Sequence, residues 1–337
     1  MEITKKVELR MPAGTLAGLK EAVENGADAV YVGFRAPTNA RNFPGLNFSL
    51  EELKKGIEFA HRRGKKIYVT VNTYPQIGEL DDCYKCVQAA YSVGADAIIV
   101  SDLSALEFVR NNFPNFPIHL SVLASACNAQ AIEFYEREFG IKSVTLPRVM
   151  HLDEIRELRA LTSVELEIFA YGVLCINCEG RCYLSPYLTG VSNNTYGMCS
   201  PSDFVVFNWK NNRLEIRLNG HLLNVLEPEE VFSYPTPCKS KYCNLLLNSV
   251  GYPMQFPMPL NILPILPDVI RSGVDALKIE GRQRSRCYVR TTGRIFRRAI
   301  DAYYAHPDSF TVREVWLKRL SSLFGSAEII IGCYAEK

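Results

Sequence analysis

Three cysteines lie within eight residues in the stretch LCINCEGRCYLSPYLTG (174–190). Thiolates at this spacing can hold zinc or an iron–sulfur cluster, form disulfides, or pack as small apolar side chains. Three more cysteines follow downstream in a region rich in Asn, Pro and Tyr, which is not the composition of a core. The six are Cys175, Cys178, Cys182, Cys199, Cys238 and Cys243.

The spacing of these cysteines favours an iron–sulfur cluster over structural zinc. Zinc sites usually combine two tight Cys-x₂-Cys or His pairs, and here only CINC (175–178) is such a pair, because CKSKYC (238–243) is too wide. The whole chain has eleven cysteines, an odd number, which argues against a disulfide framework in a reducing compartment. Metal binding is therefore the favoured role for some of them.

The overall composition indicates a globular protein with a sizeable core. The chain has 337 residues, 47% of them hydrophobic, and a net charge of +2, so no overall field attracts nucleic acid or acidic membranes. The start MEITKKVELRMPAG has no apolar signal-peptide region, and no apolar run reaches the length of a membrane span. We expect a cytoplasmic protein without a membrane span and without a nucleic-acid partner.

A repeated phrase indicates how the chain is organised. ENGADAVYVGF (24–34), SVGADAIIVSD (92–102) and RSGVDALKIEG (271–281) each follow a helical pattern and continue into a β-branched apolar run. Such runs are typical of buried parallel strands. Eight strand-like runs alternate with helical segments along the chain, which predicts a (β/α)₈ barrel of the TIM type, with a doubly wound open sheet as the alternative.

One interval interrupts this alternation after the seventh predicted strand. We therefore divide the chain into residues 1–172, with seven βα units, residues 173–262, a cysteine-rich iron–sulfur insertion between the seventh and eighth strands, and residues 263–337, with the closing unit and tail. Within the insertion, residues 204–220 resemble a β-hairpin that turns at Asn211-Asn212. The insertion should lie on the carboxyl face of the barrel, where barrel enzymes place their active sites.

Polar residues follow several of the predicted strands and are candidates for substrate binding. Arginine forks suit carboxylates and phosphates, and Arg282 and Arg284 directly follow the eighth strand. The alternative for each candidate is an ordinary capping or turn role, and no hydrolase or phosphate-binding motif identifies a catalytic residue. The candidates are Arg282, Arg284, Glu280, Arg41, Asn39, Asn72 and Arg148.

Several long phrases resemble a known family. TNARNFPGLNFS (38–49), EGRCYLSPYLTG (179–190), TPCKSKY (236–242) and VDALKIEGRQRSRCYV (274–289) are similar to the UbiU-like branch of the collagenase-like peptidase family, whose catalytic type is unknown. The resemblance covers residues 7 to 310. It implies one 4Fe–4S cluster, with Cys178 and Cys243 as extra cysteines that could serve as alternative ligands. The implied ligands are Cys175, Cys182, Cys199 and Cys238.

The same resemblance implies an activity. UbiU-like proteins take part in oxygen-independent hydroxylation of the ubiquinone precursor ring, with a UbiV-like iron–sulfur partner and a lipid-binding accessory protein. Prephenate is the implied hydroxyl donor, and the chain would work as one subunit of a heterodimer. The alternatives are a tRNA or rRNA base hydroxylase, a peptidase, for which no nucleophile or metal–water pair is evident, and a scaffold that carries a cluster without catalysis.

Overall fold

A closed ring of eight parallel strands forms the centre of the protein. The computed structural model describes residues 6–230, 234–246, 248–324 and 329–334. The last strand of the ring, Ala276–Ile279, pairs in parallel with both Glu165–Val173 and Glu8–Pro12 and so closes the ring. This confirms the predicted (β/α)₈ barrel and excludes the open sheet. The strands are β1 (Glu8–Pro12), β2 (Ala29–Gly33), β3 (Lys66–Val71), β4 (Ala97–Val100), β5 (Ile118–Leu120), β6 (Ser143–Thr145), β7 (Glu165–Val173) and β14 (Ala276–Ile279).

Helices surround the ring and bury their apolar faces against it. Local sequence sets the ends of these helices. Ser49 and Glu52 form the predicted capping box at the start of the helix Leu50–His61. Gly26, Gly94 and Gly273 have positive φ and follow the helices that end at Glu24, Ser92 and Arg271. The helices are α1 (Leu16–Glu24), α2 (Leu50–His61), α3 (Leu80–Ser92), α4 (Leu103–Asn112), α5 (Ala129–Phe139), α6 (Leu152–Leu161), α9 (Leu266–Arg271), α10 (Arg286–Ala305) and α11 (Glu314–Ser322).

A layer of paired charges lies inside the barrel below its mouth. The guanidinium of Arg10, 2% exposed, contacts the carboxylates of Glu8, Glu165 and Glu167 at 2.6–3.0 Å. The amine of Lys278 donates to Glu167 at 2.7 Å. Loss of one partner would leave a buried charge unpaired, which is costly, so the fold depends on this network. The network lies below the carboxyl ends of the strands.

Residues 173–262 lie between β7 and β14, and their treatment as a unit of their own remains a prediction. Asn211 and Asn212 both have positive φ in the turn between β8 and β9, as a tight hairpin turn requires, so the predicted hairpin is confirmed. The elements are α7 (Leu184–Thr189), α8 (Asn193–Tyr196), an antiparallel sheet of β8 (Val205–Lys210), β9 (Arg213–Leu218) and β10 (His221–Leu226), a hairpin of β11 (Tyr242–Asn244) and β12 (Ser249–Gly251), and β13 (Pro259–Asn261), which pairs antiparallel with β7.

Among the described residues, no helix combines the length and the apolar character needed to cross a bilayer.

Candidate active site

A chain of ion pairs crosses the carboxyl end of the barrel. Glu280, just after β14, accepts from Arg41 at 2.9 Å and from Arg148 at 2.6 Å, and Arg148 also donates to Glu179. Burial by itself would raise the pKa of Glu280, but the charges of Arg148 and Arg41 lower this pKa to about 2. The carboxylate is therefore held ionised between two guanidinium groups.

Arg148 is further held by an aromatic ring. Its guanidinium carbon lies 3.5 Å from the centroid of the Phe169 ring, a cation–π arrangement that fixes the side chain against β7. Among the described residues, neither the buried Nε of Arg148 nor the buried Oε2 of Glu179 has a hydrogen-bond partner. Two polar atoms are thus left over in the wall that these residues form.

Arg282 differs from the other buried arginines because its described hydrogen-bond partners are neutral. Its Nη1 donates to the Oδ1 of Asn39 and the Oγ1 of Thr70, both at 2.9 Å. Among the described residues, it lies within ion-pair distance of no carboxylate, although it is only 5% exposed. Burial lowers the pKa of Arg282 to about 10. A buried cation without a counterion favours an anionic ligand.

The two predicted asparagines position loops. The Nδ2 of Asn39 donates to the carbonyls of Phe34 and Ala36, and its Oδ1 holds Arg282. Asn72 accepts from the backbone N–H of Ala40 at 3.0 Å and donates to Ser121 at 3.1 Å. Asn39 therefore orients a cation, whereas Asn72 joins the loops after β2 and β5.

A small cavity of about 110 Å³, here called the mouth cavity, opens inside the ring of strand ends. Arg282, Arg148, Arg41 and Asn72 line it together with Lys278, which sequence reasoning missed. The Nζ of Lys278 lies 4.6 Å from the Tyr31 ring centroid, and burial lowers the pKa of this amine. A lysine within the apolar strand phrase VDALKIEG was the available signal. Four cations therefore face this cavity against two carboxylates, those of Glu179 and Glu280.

A second cavity of about 100 Å³, here called the cysteine cavity, lies beside the first. All four cysteines implied as ligands line it, whereas Cys178 and Cys243 do not. Cys178 instead contacts Ser125, and Cys243 is exposed on β11. The lining cysteines are Cys175, Cys182, Cys199 and Cys238.

The surroundings of these cysteines fit a cluster. Burial raises the pKa of the Cys175 and Cys199 thiols, so both stay protonated unless a metal stabilises the thiolate. Arg41 and Arg148 line the same cavity but are paired with Glu280 and Glu179, whereas the buried Lys239, also in the lining, has no ion-pair partner among the described residues and would offset part of the negative charge of thiolates. Hydrogen bonds reach two of the sulfurs, at 2.9 Å from Gln255 to Cys238 and at 3.6 Å from Asn177 to Cys182. Such bonds are among those that tune iron–sulfur clusters.

A single metal ion has no comparable site. Within the described ranges, no three His, Cys, Asp or Glu side chains are arranged to hold one ion. In a four-iron cluster each iron takes one protein thiolate, so the cysteines surround the cluster rather than converge on one point. The assignment of the four cysteines as cluster ligands stays a prediction.

Two glycines let the cysteine-bearing loops approach the barrel closely. Gly180 has φ +91°, and a Cβ there would overlap the carbonyl oxygen of Leu123 in the loop after β5. Gly197 has φ +71° and packs in the same way on the backbone of Ala40, while its carbonyl accepts from Arg41 at 2.5 Å. Only glycine fits both the positive φ and the close backbone contact.

A larger cleft of about 570 Å³, here called the outer cleft, lies outside these cavities. It reaches Cys199, Arg41 and Glu280, which also border the cysteine cavity. Arg284 lies in its wall, with its guanidinium carbon 4.4 Å from the Phe324 ring centroid. The structure thus places six of the seven predicted substrate residues around cavities that share lining residues. The seventh, Asn39, does not line these cavities but accepts a hydrogen bond from Arg282.

The closed barrel and the polar cavities at the ends of its strands define a (β/α)₈-barrel protein whose candidate site lies on the usual functional face. The chain belongs to peptidase family U32, which it matches over residues 14–328. This confirms the family expected from the sequence phrases, although not the UbiU-like branch.

The chain is similar along most of its length to three proteins whose names concern RNA hydroxylation. The chain is 35% identical over 323 residues to "tRNA hydroxylation protein P1" of Bacillus subtilis (strain 168), covering 94% of this chain and 68% of that protein. It is 33% identical over 324 residues to "tRNA hydroxylation protein P" of Escherichia coli (strain K12), covering 88% and 68%. It is 30% identical over 301 residues to "23S rRNA 5-hydroxycytidine C2501 synthase" of the same organism, covering 88% and 40%.

Proposed function

We propose that this protein is a hydroxylase that acts on a base of RNA and carries one 4Fe–4S cluster. The observation that carries the proposal is that four cysteines line one cavity whose wall, Arg41, Arg148 and Glu280, also borders the cation-lined mouth cavity. The names of the three relatives, each of which concerns RNA hydroxylation, support the choice of substrate.

The cluster would be held by Cys175, Cys182, Cys199 and Cys238. When bound, it would supply electron transfer or activation of an oxygen-bearing donor next to the barrel mouth. The ion pairs of Glu280 with Arg41 and Arg148 would hold the side chains that separate the two cavities in place.

The oxygen donor would be a small carboxylic acid in the mouth cavity. Arg282 presents a buried positive charge without a described carboxylate partner, and Lys278 and Arg148 add further cations. A carboxylate bound there would satisfy the charge of Arg282 and fix the donor in one orientation. Prephenate, the donor implied by the sequence resemblance, is a carboxylic acid but stays a prediction, because the mouth cavity of about 110 Å³ lies below the usual volume of pockets for organic ligands.

RNA as the proposed substrate differs from two sequence-based expectations. The balanced net charge suggested no nucleic-acid partner, but a local group of cations can bind RNA without a basic overall composition. The predicted ubiquinone role, with its UbiV-like partner and lipid-binding accessory protein, stays a prediction that the names of these three relatives do not support. The base hydroxylase, the alternative from the sequence, takes its place.

Deletion of the gene tests the proposed function. Nucleosides from tRNA and rRNA of the deleted strain, separated by mass spectrometry, should lack one hydroxylated nucleoside. The wild-type gene and the Cys178→Ala variant should restore it, and Cys182→Ala should not. An unchanged nucleoside profile together with lost quinone hydroxylation in anaerobic cells would contradict the RNA substrate and return the ubiquinone role.

A further inference from the structure

The outer cleft has room for a nucleotide. Pockets for organic ligands usually measure about 300–1,000 Å³. The outer cleft, at about 570 Å³, lies within this range, whereas the mouth cavity and the cysteine cavity, at about 110 and 100 Å³, do not. A large substrate and a small donor would therefore occupy different spaces.

The walls of the outer cleft combine apolar surfaces with hydroxyl and amide groups. Phe43, Leu46, Met198 and Met258 offer contacts for the faces of a flat ring, and Ser200, Ser202, Tyr234 and Gln283 offer hydrogen bonds. This mixture suits a nucleobase, which has apolar faces and polar edges. The hydroxyl of Ser200 is buried without a hydrogen-bond partner among the described residues, and an isoprenoid chain would leave it unsatisfied.

Arg284 supplies a positive charge at the same wall. Its guanidinium carbon lies 4.4 Å from the Phe324 ring centroid and 5.6 Å from that of Tyr288. Among the described residues, no carboxylate lies within ion-pair distance of it. A guanidinium that is packed on a ring keeps N–H groups free for the bidentate contact that a phosphate accepts.

The inner end of the cleft meets the site already described. Cys199, Arg41 and Glu280 border both the outer cleft and the cysteine cavity, and Gln283 borders both the cleft and the mouth cavity. A ring that entered the cleft would thus end beside the cluster ligands and the donor. Of the three cations that line the cleft, Arg41 and Lys239 also border the cysteine cavity, whereas Arg284 borders neither of the other two cavities, and this difference sets a direction for the ligand.

We propose that the outer cleft receives a single nucleotide extruded from the RNA, with its base toward Cys199 and its phosphate at Arg284. This inference rests on the proposed function and adds to it the place and direction of the substrate. Extrusion is the general solution when chemistry must reach a base that is stacked in a folded nucleic acid. Arg284 is then a substrate-contacting residue that the donor does not use.

Binding of bulk tRNA, purified from the gene-deleted strain, tests the phosphate contact. In filter binding at low salt, Arg284→Ala should weaken binding about tenfold, as expected for loss of one charge-assisted contact, and Arg284→Lys should weaken it less. The matched control is Arg298→Ala, which removes the same charge from an exposed position on α10 and should bind like the wild type. Equal affinities of the Arg284→Ala and Arg298→Ala variants, or no binding of tRNA to the wild type, would overturn the inference.

A second variant tests the base separately. Met258→Trp adds a large ring to the cleft wall without touching Arg284, so RNA should still bind but the hydroxylated nucleoside should be lost. Visible absorption and the thermal midpoint of each variant verify that the protein is folded and loaded. Full restoration of the nucleoside by both Arg284→Ala and Met258→Trp would contradict this inference and leave the proposed function intact. An unchanged nucleoside profile after deletion of the gene would contradict the proposed function itself.

Discussion

Arg41 donates to Glu280 across 2.9 Å, and this one ion pair borders the cysteine cavity, the mouth cavity and the outer cleft. The two residues are 239 positions apart in the chain. Glu280 also accepts from Arg148 and from the backbone N–H of Val173, at the end of β7. The pair therefore joins the loop after β2 to the end of β14 at the point where donor, substrate and cluster would meet.

Glu280→Gln should reduce activity more than it disturbs the fold of the strands. The variant keeps the shape of the side chain but removes the described carboxylate partner of Arg41 and leaves Arg148 with Glu179 alone, at a cost of about 3 kcal/mol or more. We expect a loss of nucleoside hydroxylation in complemented cells together with a lower thermal midpoint. A fully active variant of unchanged midpoint would show that the ion pair has no such role.

The cysteine assignment can be checked by spectroscopy. Protein purified without oxygen should absorb near 400 nm, roughly as other Cys-ligated clusters do. Cys182→Ala should lose this absorption and the bound iron. Cys178→Ala and Cys243→Ala are matched controls and should keep both, because neither residue lines the cysteine cavity. Undiminished absorption of Cys182→Ala would refute the ligand set.

The same substitution at two buried arginines should change the stability of the protein by different amounts. Arg10→Met leaves Glu8, Glu165 and Glu167 without their common partner and should lower the free energy of unfolding by about 3–5 kcal/mol. Arg282→Met removes a cation that has only neutral described partners, so stability should change little.

The activity of the Arg282→Met variant should fall about tenfold or more, chiefly through weaker binding of the carboxylate donor. Urea unfolding and kcat/KM for the donor, measured in parallel, separate the two effects. A large loss of stability with unchanged donor binding would assign Arg282 to the fold instead.

Stability should fall in acid in a way that depends on Glu167. Burial by itself would raise the pKa of this carboxyl, but Lys278 and Arg10 outweigh burial and lower the pKa to about 2. A pKa that is lowered by folding stabilises the protein above the unfolded value of about 4.5, and this stabilisation is lost as the pH falls toward 2.

The matching variant is Glu167→Gln. At pH 7 it should be less stable than the wild type by about 3 kcal/mol, and the difference should shrink between pH 4.5 and pH 3. Urea unfolding at several pH values measures both. A difference that stayed constant with pH would show that the carboxylate of Glu167 does not carry this stabilisation.

Alanine substitutions at Gly180 and Gly190 test whether the cysteine loop must approach the barrel closely. Both have positive φ, so alanine strains the backbone at either site by about 1–3 kcal/mol. Only at Gly180 would the new Cβ also overlap a neighbouring carbonyl, that of Leu123, while nothing lies within 4 Å at Gly190. Gly180→Ala should therefore lose bound iron, and Gly190→Ala should keep it. Equal iron contents would show that the close contact is not needed.

The sequence by itself determined the elements and the type of the fold. Helix caps such as Ser49 with Glu52, the glycines after helices and the Asn211-Asn212 turn are local signals, because each acts on neighbouring residues. The apolar runs of eight strands also predicted their burial, and shared phrases identified the family. Positions just after the predicted strands also indicated which residues lie on the functional face, among them Arg41, Arg148, Glu280 and Arg282.

Only the tertiary structure decided what these residues contact. Ring closure brings Arg41, Arg148 and Glu280 together, gives Arg10 three carboxylates and leaves Arg282 without a carboxylate within ion-pair distance among the described residues. It also separates Cys178 from the cavity that the other cysteines share, and turns Lys278 into the barrel mouth. Periodicity and capping act over a few residues, whereas burial, charge pairing and cavity shape depend on side chains from strands far apart in the chain.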